Sequence, residues 1–137
     1  MATEGRNEGI HTETGGAPQD WFAFTARRLV AAEFGVAESE LARAGRCQAP
    51  VAFARQVAMY LAHCAYQLSY QEVADAFGRE RSTVTYACQV VEDARDDPET
   101  EEKLLKIEER LHALARIVHG RPTAARMAAH GVGLPPL

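Results

Sequence analysis

Aromatic residues make up only 7 % of this 137-residue chain. No apolar run approaches the roughly 18 residues that would span a bilayer. So few rings, set against 47 % apolar residues rich in Ala, Leu and Val, argue against a β-sandwich core and for helices packed at short range. Cysteine is scarce too. Cys47, Cys64 and Cys88 form neither a CxxC pair nor an even-numbered framework, which excludes a disulfide-stapled fold and fits small buried thiols in a reducing cytoplasm. The N-terminal stretch MATEGRNEGIHTETGGAPQD has no apolar segment of signal-peptide length, so export is not expected. Positive charge is also in deficit. A formal net charge of −4 excludes a polycation that coats nucleic acid, and any DNA contact has to come from a local basic surface. The five histidines (11, 63, 112, 119, 130) have no ligand spacing with Cys or acidic residues, and no nucleophile–base set can be assembled. A non-enzymatic chain without metal or cofactor is therefore expected.

What is present is helical periodicity. Residues 1–18 lack it and read as a disordered N-terminal tail. From Gln19, the residues Trp21, Phe24, Leu29, Val30, Ala32 and Phe34 recur at roughly helical spacing up to Gly35. A short helix fits 38–43. A longer one fits VAFARQVAMYLAHCAYQL, with Val51, Ala54, Val57, Ala58, Leu61 and Ala65 on one stripe. Ser69 and Glu72 then form a capping box that starts the two-turn helix YQEVADAF, with Val73, Ala76 and Phe77 as its inward side and Gly78 as its stop. A second start signal follows at Ser82-Thr83, and Val84, Ala87, Cys88 and Val91 repeat at i, i+3, i+4, i+7. Asp97 and Pro98 open a last helix, in which Leu104, Ile107, Leu111, Leu114 and Val118 alternate three and four apart like a coiled-coil seam. That stripe packs on its own domain or, alternatively, makes a homodimer through the helix 98–119. Residues 120–137 read as a flexible C-terminal tail. The chain thus divides into tail, a helical domain at 19–119, and tail.

A short capped helix, a tight Gly turn and a second helix opening with Arg81-Ser82-Thr83 predict a helix-turn-helix at about 69–95. In such a unit the first helix braces on the DNA backbone while the opening turn of the second enters the major groove. Arg81 suits guanine O6 and N7, while Ser82 and Thr83 suit phosphate or a thymine methyl. Charge alone does not decide the matter, because residues 50–95 hold four arginines (55, 79, 81, 95) against five acids (72, 75, 80, 92, 93).

The segments ARQVAMYLA (54–62) and LSYQEVADAFGRERSTVTYAC (68–88), in that order and spacing, resemble the C-terminal DNA-binding domain of the bacterial chromosomal replication initiator DnaA. The resemblance spans about residues 21–115 and is strongest between Arg55 and Cys88. It implies an all-α small helical bundle containing a helix-turn-helix, like DnaA domain IV and the Trp repressor. It also implies double-stranded DNA as partner: members read a nine-base-pair box, a basic loop in the minor groove and the helix-turn-helix in the major groove. By position, Arg55 and Gln56 match the family's Arg-Gln, implying a phosphate contact and a groove-facing amide. Gly78 and Arg79 match if one turn glycine is absent. Glu80 stands for the signature Asp, Arg81 for the His, and Ser82 and Thr83 for the two Thr. The minor-groove arginine falls, within a residue, at Arg46.

The departures carry expectations of their own. Arg81 in place of His favours guanine and hence an altered site. The segment AGRCQAPVAF has only Arg46 where the family is rich in Lys and Arg, so affinity and salt slope should be low. No GxxxxGK[ST] loop is present, so ATP-driven origin melting is not expected of this chain. The candidate DNA-binding set is Arg46, Arg55, Gln56, Arg79, Glu80, Arg81, Ser82, Thr83, Thr85 and Tyr86. Bland alternatives stand beside it: a solvated cap for 81–83, a surface ion pair for Arg55, rim packing for Thr85 and Tyr86. At the level of function, the expectation is a cytoplasmic, nucleoid-associated DNA binder that regulates transcription or replication initiation. The alternative is a protein-interaction module that has kept the fold and lost the DNA.

Overall fold

A computed structural model describes residues 18–43 and 48–119. Six helices and no strand occur among them: α1 (Pro18–Phe34), α2 (Glu38–Ala42), α3 (Ala49–Cys64), α4 (Tyr70–Phe77), α5 (Arg81–Ala94) and α6 (Pro98–His119). The all-α expectation holds. Residues 1–17 and 120–137 of the two tails, together with Arg46 and Cys47, lie outside the described residues, while Pro18, read as the end of the N-terminal tail, instead opens α1.

α3 is the central helix, with Ala54, Val57, Ala58, Leu61 and Ala62 fully buried. α1 and α5 pack along it, α4 bridges α1 and α5, and α6 lies against α1. The buried side of α1 is Ala23, Ala26 and Val30 rather than the large residues that stand out in its sequence. Phe24 is 45 % exposed, with the Arg28 guanidinium 5.5 Å from its ring centroid. Small residues face the core on both α1 and α3, so two helical backbones approach closely with little side-chain entropy lost.

The end of α3 comes earlier than the apolar pattern suggests. The chain leaves the helix after Cys64, and Gln67 adopts a left-handed φ of 63°. That reversal sends Tyr66 into the core, where its hydroxyl donates to the Leu111 carbonyl at 3.1 Å and sits 3.1 Å from the Thr25 hydroxyl. Trp21 and Phe22 pack against the Tyr66 ring. One tyrosine therefore joins α1, the end of α3 and α6. His112 adds a second tie across this junction, 3.2 Å from the Ala65 carbonyl.

α6 starts as its sequence suggests, with Asp97 accepting from the Thr100 amide at 2.9 Å. Leu104, Ile107 and Leu111 are fully buried in the chain's own core, while Val118 is exposed. Most of the seam-like stripe is thus occupied within the domain, and only Leu105, Ile117 and Val118 remain as large exposed apolar residues of this helix.

Candidate nucleic-acid interface

α4 opens on the expected capping box. The Ser69 hydroxyl accepts from the Glu72 amide at 3.1 Å, and Glu72 Oε1 accepts from the Ser69 amide at 2.8 Å. Its inward side is Val73 and Ala74, with Ala76 and Phe77 only half-buried, because the short helix presents its 73/74 edge to the core. The Phe77 ring is instead the platform for the half-buried Arg27 guanidinium of α1, 5.1 Å from its centroid.

The turn that follows has a definite mechanism. Gly78 takes φ 65°, ψ 39°, the left-handed conformation that costs glycine little. The Arg79 amide donates to the Ala74 carbonyl at 2.9 Å and the Gly78 amide to that of Asp75 at 3.4 Å, the two bonds of a Schellman cap. Three residues, 78–80, therefore suffice to reverse the chain into α5.

α5 begins one residue earlier than the Ser82-Thr83 signal implies. Glu80 occupies the cap position without a side-chain hydrogen bond, and Arg81 is the first helical residue. The reason is local: the Thr83 and Val84 amides both bond the Glu80 carbonyl, at 2.9 and 3.2 Å, which places Ser82 inside the first turn. With no side-chain cap, and with the Thr83 and Val84 amides taken by the Glu80 carbonyl, it is the Arg81 and Ser82 amides that can turn to an outside acceptor. Val84, Ala87, Cys88 and Val91 are buried as the spacing predicts.

The candidate residues divide into two groups. Arg81, Ser82, Thr83 and Tyr86 lie exposed on the outward side of α5, with Tyr86 65 % accessible and one turn on from Ser82 and Thr83. Glu80 is exposed beside them. Gln89 is exposed one further turn along the same side, at a helical spacing from Tyr86 that the sequence already displays. Gln56 is half-buried on α3, two turns before His63 and on the same face of that helix.

The second group faces inward. Arg55 is only 8 % exposed. Its Nε donates to the Leu41 carbonyl at 3.2 Å and its Nη2 to that of Glu40 at 2.7 Å, which ties α3 to the end of α2. Arg79 is half-buried and donates through Nη2 to the Arg43 carbonyl at 2.7 Å. Two arginines matched to DNA contacts thus hold the last carbonyls of α2, which a helix end leaves without intrahelical partners. The Thr85 hydroxyl donates to the Ser82 carbonyl at 3.0 Å, a bond inside its own helix.

The far end of α5 is anchored by an ion-pair network. Arg95 contacts Glu108 through both Nη atoms at 3.0 and 3.2 Å, Glu101 through Nε, and the Tyr60 hydroxyl at 3.1 Å. Tyr60 in turn donates to Glu92 Oε2 at 2.7 Å. Burial and the Glu92 carboxylate push the Tyr60 pKa well above its usual range, while its carboxylate partners overcome burial and hold Arg95 firmly cationic. Breaking such a partly buried pair leaves a stranded charge, so the network fixes how α5 docks on α3 and α6. Among the described residues no group of three or more His, Cys, Asp or Glu is placed to hold a metal ion.

A family model described as bacterial dnaA protein helix-turn-helix matches residues 26–91, from the middle of α1 to the penultimate turn of α5. Over residues 26–91 the chain is similar to the DnaA helix-turn-helix family. Domains of this family bind double-stranded DNA, and the match takes in α4 and all but the last residues of α5, the two helices with the helix-turn-helix arrangement. The matched segment leaves out α6, the helix whose Glu101 and Glu108 anchor Arg95. No described helix is long and apolar enough to cross a membrane.

Proposed function

We propose that this chain binds double-stranded DNA sequence-specifically, with α5 in the major groove and Arg81, Ser82, Thr83 and Tyr86 as its reading set. One observation carries the proposal: the four side chains are exposed on the opening turns of a helix without a side-chain cap, which a Schellman turn and a partly buried ion-pair network anchor at its two ends. Arg81 supplies a bidentate donor for guanine, Thr83 and Ser82 contact a phosphate or a thymine methyl, and the α5 amides favour a phosphate oxygen. The site is a relative of the DnaA box with guanine at the position Arg81 reads. The biological role that fits is regulation of transcription or replication initiation at such sites, next to the chromosome. These residues contain no GxxxxGK[ST] motif, and the role needs no ATP.

The test is fluorescence anisotropy on selected and scrambled duplexes across a salt series. Arg81→Ala should cost about 1–3 kcal/mol on the selected duplex and much less on the scrambled one. Equal affinity of wild type, Arg81→Ala and Thr83→Ala for both duplexes would refute the assignment.

A protein-interaction module without DNA is the second reading. It is favoured by one finding, that Arg55 and Arg79 are turned onto α2 on a chain of net charge −4. It predicts no affinity for any duplex at low salt. A homodimer through α6 would use its exposed Leu105, Ile117 and Val118, since Leu104, Ile107 and Leu111 lie inside the domain.

A further inference from the structure

Three side chains from three helices meet beside the reading helix. His63 lies in the last turn of α3, Tyr70 is the first residue of α4, and Arg81 is the first residue of α5. The His63 and Tyr70 rings stack with centroids 4.2 Å apart and planes 19° from parallel. The Arg81 guanidinium carbon lies 5.8 Å from the Tyr70 ring centroid. His63 Nδ1 is 2.8 Å from the Leu68 carbonyl. A carbonyl oxygen only accepts, so that nitrogen carries the proton and the bond holds the imidazole plane.

We propose that Tyr70, held by His63, is a positioning residue for Arg81 and so helps determine which base the reading helix selects. This rests on the DNA-reading role assigned to Arg81 above. The chemistry follows from the shape of guanidinium. Its flat face is weakly hydrated and lies well on an aromatic ring, while its N–H groups point outward in the plane. A cation–π contact with the ring therefore leaves the bidentate edge free for guanine O6 and N7. An unrestrained arginine on an exposed helix end samples many rotamers and loses that freedom when it binds. Drawn to a ring that His63 itself holds by stacking, Arg81 has less freedom to lose, and the gain appears only where its bonds are geometrically exacting. Tyr70 thus acts on discrimination between duplexes more than on attraction to phosphate.

The experiment uses the full chain and two duplexes: one recovered by selection from a random pool, and the same duplex with A·T in place of the G·C pair whose recognition Arg81→Ala abolishes. Tyr70→Leu should lower the affinity ratio between them about two- to fivefold, the range of an exposed cation–π contact. Tyr70→Phe, which keeps the ring, should retain the ratio. The salt slope should not change, because no phosphate contact is removed. In an Arg81→Ala background, Tyr70→Leu should have no further effect on the ratio. A DNA-free readout accompanies these: ring-current shifts of the Arg81 side-chain protons in NMR spectra, present in wild type and Tyr70→Phe, lost in Tyr70→Leu. Unchanged discrimination and unchanged Arg81 shifts in Tyr70→Leu overturn the inference alone. A wild type that binds neither duplex overturns the DNA-reading role and the inference with it.

Discussion

Replacing Arg55 separates a structural role from a DNA contact. The resemblance makes it a phosphate ligand, whereas the structure buries its guanidinium against the Glu40 and Leu41 carbonyls at 2.7 and 3.2 Å. A hydrogen bond from a charged donor contributes about 1.5–3 kcal/mol, and an orphaned buried carbonyl costs about 1–3 kcal/mol. Water reaches part of the gap left by Arg55→Ala, so a net loss of about 2–4 kcal/mol is expected. Small domains have about 5–15 kcal/mol to lose, so the variant folds but melts about 10–30 °C lower. Arg55→Lys keeps the charge yet cannot span both carbonyls, and it should fall between the two. The assay is thermal unfolding followed by circular dichroism, paired with duplex binding measured well below the variant's Tm. A strut lowers Tm and leaves the salt slope of the folded variant unchanged. An unchanged Tm with a salt slope shallower by about 0.9 would make Arg55 a phosphate contact and refute the reasoning.

Three further predictions concern the same framework. Gly78→Ala should cost about 1 kcal/mol in urea unfolding, since φ is 65° but no atom lies within 4 Å of the added Cβ; a loss above about 3 kcal/mol would mean the turn had moved. Burial pulls the His112 pKa below its ordinary 6.5, against the Ala65 carbonyl and Glu108, which raise it. The neutral ring is the native form, so its contribution is complete above about pH 6.5 and declines as pH falls from there toward the lowered native pKa; wild-type Tm should drop more steeply over that range than that of His112→Gln, and parallel curves would contradict this. Burial pushes Cys64 to about 11 and Cys88 to about 12. In a Cys47→Ser chain, iodoacetamide at pH 8 should therefore leave both unmodified until the protein unfolds, and rapid native labelling would contradict the burial.

The helix-turn-helix was legible in the sequence because each of its parts has a local cause. Ser69 and Glu72 cap α4 through their own neighbours, Gly78 meets a left-handed turn, and Val84, Ala87, Cys88 and Val91 keep a period that only a helix satisfies. The same locality made Asp97-Pro98 readable as the start of α6. Side-chain direction was not legible where it depends on partners distant in the chain. Arg55 turns inward because the end of α2, fourteen and fifteen residues away, leaves its carbonyls there. Arg79 does so across thirty-six residues. In α1 the large apolar residues stand out in the sequence, yet Ala23 and Ala26 lie on the buried side of a helix that packs along α3. The stack of His63, Tyr70 and Arg81 draws on three helices, so no spacing within one helix points to it.

The central claim is that the opening turn of α5 reads bases. Selection of bound duplexes from a random pool, done in parallel with wild type and Arg81→Ala, tests it most directly. The expected result is a wild-type consensus related to the DnaA box with a guanine at its core, and loss of preference at that guanine alone in the variant. A consensus made only of A·T pairs, or the same consensus from both proteins, would contradict it.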